Sequence, residues 1–482
     1  MQAWTRLCTV ALLAFAVSPA ANAGVRDLRL IDAVRHGDTA TVRRLLTIKA
    51  DVNTTQPDGA TALHWAAERD RLDVADLLLK AGARATAEND YGVTPLTLAA
   101  ANGSAAMIDR LIAAGAKPNT ALPSGETALM TATHTGKAEA VRSLLKHGAD
   151  ANARERIKGQ TALMWALWQH HDDVTRALIE GGASITAASE SGFTPLLFAA
   201  REGNLDMLKL LVDKGAPITD AAKDGTTALH VAVVRGHVDM ALYLLDRGAD
   251  ANSHGPGFAP LHWAAGTWET GHSHDYIFNE VAVNTVPEWS VLAGIPTPQA
   301  KRDLIVALLA HGADVNARMR KAPPRFGHSL FKTEILPGAT PFYLATITAD
   351  IPTMQLLLQK GADPTLTAAG DNTALIVAAG LGRVEQETRV PEPRVSEAVT
   401  LVLDLGADIN QPNEAGNTAL HAATMAGLDD VVAYLVQRGA ALNTKNKMGE
   451  TPLKQAHGFI DKFLLYMRPS TAAVLEKLGA TE

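Results

Sequence analysis

Hydrophobic residues along this chain fall into two alternating patterns, both with helical spacing. One pattern starts at a Thr and runs through Leu and paired Ala, as in residues 61–67, and the other places Leu residues on one face, as in residues 73–80. A Gly-Ala pair ends the second pattern, and a turn such as Asp58-Gly59 stands before the next Thr. The sequence therefore predicts pairs of short helices separated by tight hairpins, because Gly ends helices and Asp-Gly favours turns.

These patterns recur with a period of 33 residues. The in-phase Gly-Ala pairs start at Gly82, Gly115, Gly148, Gly182, Gly215, Gly248, Gly312, Gly361, Gly406 and Gly439, and six of the nine spacings are 33 or 34. The Thr motif keeps the same phase and starts at Thr61, Thr94, Thr127, Thr161, Thr194, Thr227, Ala259, Thr340, Thr373, Thr418 and Thr451. Such a unit buries its apolar face only against its neighbours, so we expect the units to stack.

The Thr-Pro-Leu start, the paired Ala and this period resemble the ankyrin repeat, over residues 28–480. The resemblance implies an all-α solenoid with a helix-turn-helix and a β-hairpin loop in each repeat, and about 11 to 12 repeats including caps. Residues 28–53 have the two-helix pattern without the Thr-Pro-Leu start and are expected to form the N-terminal cap. We therefore expect residues 24–480 to form a single ankyrin-repeat domain.

Nine positions of the repeat motif are assigned structural roles. Thr at the start of the motif is predicted to cap the first helix, and Pro at the next position loses no hydrogen bond there. The ankyrin resemblance implies that the motif histidine ties adjacent loops together by hydrogen bonds. The residues concerned are Thr61, His64, Thr94, Pro95, Thr194, Pro195, His230, His262 and His421.

The first 23 residues have the order of a secretory signal peptide. Arg6 precedes an apolar run over residues 7–17, and Ala21 and Ala23 form the small-residue signature that predicts cleavage before Gly24. An apolar run of 11 residues is too short to span a bilayer as a helix. We therefore expect a periplasmic or secreted protein with no transmembrane segment after cleavage.

Three spacings exceed the period and indicate insertions at about residues 267–299, 318–336 and 383–397. The first and third fall at the turn between the two helices of a repeat, and the second falls in a hairpin. Insertions in repeat proteins map to loops, often on a binding face. Two interpretations are open: the insertions form the specificity-determining surface, or they pack on neighbouring repeats without a binding role.

Candidate partner-binding residues are chosen because aromatic and arginine side chains are common anchors of protein interfaces. They are Trp65, Trp165 and Trp263 on first helices, Trp268, Tyr276 and Trp289 in the first insertion, and Arg318, Arg320 and Arg325 in the second. Packing between repeats is the competing interpretation for the helix tryptophans, and a solvated loop is the competing interpretation for the arginines.

The first insertion also contains His272, His274 and Asp275, a compact cluster of side chains that can ligate zinc or another divalent ion. A solvated loop explains the same residues without a metal. The leading expectation is therefore that the protein binds no metal and no cofactor.

Composition and motifs reduce the number of functional classes that fit this sequence. The net charge is −7, or −8 once Arg6 is removed with the leader, which opposes nucleic-acid binding. No nucleophile elbow, zinc-protease motif or phosphate-binding loop is present in the sequence. We expect a non-enzymatic, monomeric scaffold of the bacterial periplasm or cell envelope that binds a protein partner through its concave groove and inserted loops. The alternatives are a secreted effector that engages host proteins, a metal-dependent activity on residues 267–299, and a periplasmic helper in oxidative defence.

Overall fold

The computed structural model describes residues 27–266, 297–322, 333–382, 390–461 and 464–482. Contacts divide the chain into two compact units, residues 1–156 with 176–182, and residues 157–175 with 183–482. Both units consist mainly of the paired short helices that the sequence predicts. The expected fold class, an ankyrin-type helical solenoid, is confirmed.

In the first unit, the first helix of each repeat packs on the first helix of the next, and the second helices pack in the same way. The core lies between these layers and contains Leu63, Leu96 and Leu129. The helices are α1 Arg29–Arg35, α2 Thr39–Thr47, α3 Ala62–Glu68, α4 Leu72–Lys80, α5 Pro95–Asn102, α6 Ala105–Ala113, α7 Ala128–Thr133 and α8 Ala138–Lys146.

In the second unit, the first helices of successive repeats pack on one another in chain order, so the insertions do not interrupt the stack. Helix α10 is Asp172–Glu180. The other elements are α9 Ala162–Trp168, α11 Pro195–Glu202, α12 Leu205–Asp213, α13 Ala228–Arg235, α14 Val238–Asp246, α15 Pro260–Ala265, α16 Pro298–Ala310, α17 Pro341–Ile347, α18 Ile351–Gln359, α19 Ala374–Ala378, α20 Glu392–Asp404, α21 Ala419–Ala426, α22 Asp429–Gln437, α23 Pro452–His457, β1 Phe459–Asp461, β2 Leu464–Tyr466 and α24 Pro469–Lys477.

The two strands form an antiparallel hairpin between α23 and α24, with Phe459 opposite Tyr466. The hairpin lengthens the turn between the two helices of the last repeat. This is the stretch where the sequence loses its period, and the periodicity alone did not predict strands there.

First helices begin at the Thr-Pro positions of the motif. The Thr94 hydroxyl oxygen accepts the Thr97 backbone N–H at 3.1 Å, and Pro95 is the first residue of α5. Thr194 and Pro195 occupy the same positions before α11. At α5 the start is therefore fixed both by a capping residue and by a proline φ angle that already suits a helix. The Thr194 hydroxyl makes no capping bond at α11, so the predicted cap is wrong there and Pro195 alone favours the helix start.

The motif histidines join each repeat to the next. At His64, the Thr61 backbone N–H donates to Nδ1 at 3.1 Å, so the proton is on Nε2, which donates to the Val93 carbonyl at 3.0 Å. His230, His262 and His421 make equivalent bonds to the carbonyls of Phe258, of Ala317 and Ala339, and of Glu450. Burial lowers the pKa of all four, and the pKa of His230 and of His262 falls to about 4.

Asparagine side chains form a second set of bonds between repeats. Asn119 donates to the Gly148 carbonyl at 3.0 Å and accepts the Asp150 N–H at 2.7 Å. Asn252 makes the same pair of bonds to Gly312 and Asp314, both at 2.7 Å, although the whole first insertion separates them in sequence. The repeats on either side of the insertion therefore stack in the normal register.

The structure refines where the insertions leave the repeats. Pro298 and Gln299 belong to α16, and residues 392–397 belong to α20, so these residues lengthen second helices. In the second insertion, Arg320 and Lys321 donate backbone N–H groups to the Gly257 carbonyl, which extends the regular hairpin pairing to residue 321. The spacing between repeat motifs gives the number of inserted residues, but it does not show whether those residues extend a helix or form a loop.

Lys49 is a site where glycine should stabilise the N-terminal cap. It is exposed, with φ of 58°, at the position where Gly82 ends the next second helix. Because a side chain is unfavourable in this left-handed conformation, we expect Lys49→Gly to raise the free energy of unfolding by about 1 kcal/mol. Urea denaturation would measure it. Arg43→Gly inside α2 is the control and should lower stability by about 1 kcal/mol, and a loss of stability in Lys49→Gly would contradict the argument.

Candidate partner-binding surface

The three helix tryptophans that the sequence singles out have different environments. Trp65 is 7% exposed, its indole N–H donates to Gln56 Oε1 at 2.6 Å, and the Arg35 guanidinium lies over its ring. Trp263 is 2% exposed and lies 5.8 Å from the Phe258 ring. The burial of Trp263 favours the packing interpretation at that position.

Trp165 differs from these two because it is only half-buried. Its indole N–H donates to Gln160 Oε1 at 2.9 Å, which fixes the ring against the preceding hairpin. Trp168, one turn further along α9, is 46% exposed. The two indoles therefore lie at i and i+3 on one face of the same first helix.

The neighbouring repeat extends this face with an aromatic ring beneath a cation. Helix α11 packs beside α9, and its Phe198 occupies the position that corresponds to Trp165. The Arg201 guanidinium lies 4.7 Å from the centre of the Phe198 ring and pairs with Glu202 at 2.6 Å. Phe198 itself is buried, with 1% of its surface exposed, and supports Arg201 from beneath. We call Trp165, Trp168 and Arg201 the tryptophan surface.

The chemistry of the tryptophan surface is that of a protein interface. Trp and Arg are the residue types that most often dominate binding energy, and Trp168 offers a large rigid ring to solvent. Glu202 pairs with Arg201 at 2.6 Å, and the Arg235 Nε donates to the Arg201 carbonyl at 3.0 Å beside them. The arrangement can bind an apolar side chain of a partner.

The basic residues of the second insertion have a partly structural role. Arg318 donates to the Thr367 carbonyl at 2.5 Å, so its guanidinium links two successive hairpins. Arg320 has an exposed side chain, and its backbone N–H pairs with Gly257. Arg325 lies outside the described residues.

The remaining candidates also lie outside the described residues: Trp268, Tyr276 and Trp289, and the weak metal candidates His272, His274 and Asp275. Within the ranges that the structure describes, no group of three or more His, Cys, Asp or Glu side chains could hold a metal ion. A search of the same residues finds no helix with the length and apolarity needed to cross a membrane.

Sequence reasoning missed Trp168 and the asparagine bonds. Trp168 stands three residues after Trp165, so helical spacing alone would have placed it on the same face. The asparagines recur four residues after the in-phase Gly at Asn119, Asn152, Asn252, Asn316, Asn410 and Asn443, which is a visible pattern. Its meaning depends on carbonyls of the next repeat, which the sequence does not show.

These features define a repeat protein that offers extended helix and hairpin surfaces for binding. The family model for ankyrin repeats in three copies matches residues 30–122, 98–189, 185–255 and 394–468. The chain belongs to the ankyrin-repeat family. Such proteins are generally non-enzymatic adaptors that bind other proteins.

Similar proteins share short stretches with this chain. Human protein phosphatase 1 regulatory subunit 27 is 43% identical over 56 residues, which are 12% of this chain and 36% of that protein. A fem-1 homologue of Drosophila melanogaster is 48% identical over 60 residues, 12% of this chain and 9% of that protein. The chain thus spans about a third or less of the length of these eukaryotic relatives.

Among solved structures, the human ASB11 ankyrin repeat domain is 28% identical to this chain. The match covers 42% of this chain and 89% of that domain, with a TM-score of 0.38.

Proposed function

We propose that this protein is a non-enzymatic scaffold that binds a protein partner through its first helices, with the tryptophan surface as a principal contact. The observation that carries the proposal is the exposed indole of Trp168 on a first helix, beside the fixed ring of Trp165. Exposed tryptophans are strong anchors when a partner covers them.

The stack supports the surface by keeping it rigid. Histidine and asparagine bonds hold successive repeats in register, so the partner would meet side chains that are already positioned. Preorganisation of this kind reduces the entropy that binding must overcome.

Trp168→Ala should weaken partner binding without unfolding the protein. We expect the amount of partner captured from an envelope fraction to fall about thirtyfold, the effect of losing a contact worth about 2 kcal/mol. Leu405→Ala is the matched control, because Leu405 is a similarly exposed apolar residue after the second helix α20. Equal capture by wild-type protein and Trp168→Ala would contradict the role of this surface.

The contribution of the first insertion can be separated from that of the stack. Because α16 begins at Pro298, the clean deletion removes residues 267–296 and leaves that helix intact. If the insertion specifies the partner, the deleted protein should keep its helical circular dichroism and lose capture. Unchanged capture would favour the interpretation that the insertion only packs on the repeats.

We also propose that the protein is exported to the periplasm or secreted, on the strength of the leader-like residues 1–23. In a bacterial host, N-terminal sequencing of the mature protein should begin at Gly24. Ala23→Arg should block cleavage, because the processing site requires small side chains. Recovery of an uncleaved wild-type chain from the cytoplasm would contradict export.

A further inference from the structure

Basic side chains gather at the ends of three neighbouring first helices in the second unit, beside Trp168. Helix α9 packs on α11, and α11 packs on α13, so the last residues of these helices are neighbours. They include Trp168 on α9, Arg201 and Glu202 on α11, and Arg235 on α13. Trp168 and Arg201 both stand seven residues after the motif Thr of their repeats. Since packed helices are about 8–10 Å apart, these two positions are separated by about 10 Å.

The backbone at the end of α11 holds basic side chains of the next repeat close to Arg201. Arg235 donates from Nε to the Arg201 carbonyl oxygen at 3.0 Å, and His237 donates from Nε2 to the same oxygen at 3.3 Å. The His237 ring lies against Gly203, where a Cβ atom would come within 2.6 Å of it. A larger residue at Gly203 would displace His237, so the glycine permits this close packing.

The cluster surrounds the carboxylate of Glu202. Arg201 pairs with Glu202 at 2.6 Å, and Nε2 of His170 lies 4.0 Å from the same carboxylate. At the start of α10, the carboxylate of Asp172 accepts a hydrogen bond from Asn204 at 2.6 Å. The side chains of Arg201 and Glu202 are 13% and 16% exposed, so water screens the charges of this pair only weakly.

Positive charge exceeds negative charge among Arg201, Arg235 and Glu202. Two guanidinium groups against one carboxylate give these three side chains a net charge of +1, in a chain of net charge −7. Burial lowers the pKa of Arg235, the charge of Glu202 acts to raise it, and the charge of Arg201 acts to lower it further. The two arginines thus repel each other, and a second carboxylate beside them would offset that repulsion.

We propose that Trp168, Arg201 and Arg235 bind an acidic peptide segment of the protein partner, in which a bulky apolar residue lies close to a Glu or Asp. The inference rests on the proposed scaffold function and names the chemistry of its partner. Trp168 is 46% exposed and would cover the apolar side chain, while the arginines attract the carboxylate. A separation of about 10 Å corresponds to about three residues of extended chain, which sets the spacing of the two side chains in the peptide.

Nucleic acid also combines anionic groups with flat rings, but it fits this surface less well than a peptide does. The net charge of −7 repels a long polyphosphate chain, whereas an acidic peptide segment brings its carboxylates only to the basic cluster. A single-stranded oligothymidylate therefore serves as the competitor in the test.

Fluorescence anisotropy with a synthetic peptide tests the proposal on the full-length protein. The probe alternates Leu and Glu, so that a Leu and a Glu stand three residues apart, and it carries a neutral fluorophore. The matched peptide contains Gln in place of Glu. We expect the Glu peptide to bind about tenfold more tightly than the Gln peptide, and an excess of oligothymidylate to leave it bound. Raising the NaCl concentration from about 0.05 M to about 0.5 M should weaken Glu-peptide binding about fivefold.

Two substitutions with opposite effects on charge separate binding from folding. Arg235→Met should weaken Glu-peptide binding about tenfold, whereas Glu202→Gln, which removes a negative charge, should strengthen it about threefold. Misfolding would weaken binding in both variants, so opposite signs identify an effect of charge. Arg394→Met, at an exposed arginine of the second helix α20, is the matched control and should bind as wild type does.

The outcomes distinguish this inference from the proposed scaffold function. Equal binding of the Glu and Gln peptides, or no binding of either, would overturn the acidic segment. Displacement of the Glu peptide by oligothymidylate would also overturn it and would assign the surface to nucleic acid. If Trp168→Ala reduces partner capture while Arg235→Met and Glu202→Gln leave Glu-peptide binding unchanged, the acidic segment is wrong and the scaffold function stands.

Discussion

Acidification from pH 7 to pH 4 should lower the free energy of unfolding by about 3 kcal/mol through His230 and by a similar amount through His262. Both side chains are buried, with a pKa of about 4 in the folded protein. The pKa of an unfolded histidine is about 6.5. The unfolded chain therefore binds more protons between these two values, so stability is present above pH 6.5 and is lost as the pH falls toward 4.

Burial is the largest cause of the lowered pKa of His230 and of His262, because it disfavours the charged imidazolium. A backbone N–H also points at Nδ1 of each side chain, so a second proton there would face a donor. Asp224 acts to raise the pKa of His230, whereas His254 acts to lower the pKa at both positions.

Urea denaturation at several pH values would measure the effect. The double variant His230→Gln and His262→Gln should be less stable at pH 7 but should lose much less stability between pH 6.5 and 4. His134→Gln, at an exposed histidine in the first unit, is the control and should keep the wild-type slope. If wild type and the double variant lost stability in parallel, the argument from buried histidines would fail.

Trp263→Ala should destabilise the second unit by about 3–5 kcal/mol, because it removes a fully buried indole from a packed core. The cavity would lie beside Phe258, whose ring packs on Trp263 and also on His230. Thermal or urea unfolding would measure the loss.

The comparison with Trp168→Ala makes this prediction specific. Trp168 is exposed, so its removal should change stability by only about 0.5 kcal/mol and act on partner binding instead. A small stability change in Trp263→Ala would mean that the core relaxes around the missing ring, and would reopen a binding role for Trp263.

Much of the fold could be predicted from the sequence because the repeat motif acts through interactions between residues that are close in sequence. The Thr-Pro start at Thr94 and Pro95 acts within a single turn of helix, and its effect is independent of the rest of the chain. The repeat period then extends that local result to the whole stack. The sequence did not predict the extended starts of helices α16 and α20, because the first residues of both lie where the period is broken.

The candidate site could be predicted less well, because exposure depends on neighbours. Trp65, Trp165 and Trp263 occupy the same motif position, but their environments differ. The Arg35 guanidinium covers the Trp65 ring, whereas Trp165 donates to Gln160 and stays half-buried. Trp263 is buried. Lys301 has no motif at all. Its ammonium donates to the Gly266 carbonyl at 3.1 Å and to Asp350 at 2.7 Å, and these partners lie 35 residues before it and 49 residues after it in the sequence.

The asparagine bonds across the first insertion bear on how such a chain can change during evolution. Asn53 reaches a carbonyl 29 residues away, and Asn252 makes the same bond across 60 residues. Doubling the length of a closed loop costs only about 0.6 kcal/mol in chain entropy. A lineage could therefore gain, exchange or lose a segment at a helix turn in a single genetic event, with the repeats on both sides pairing as before. In this architecture, new recognition surfaces can be acquired as inserted segments while the stacked repeats stay unchanged.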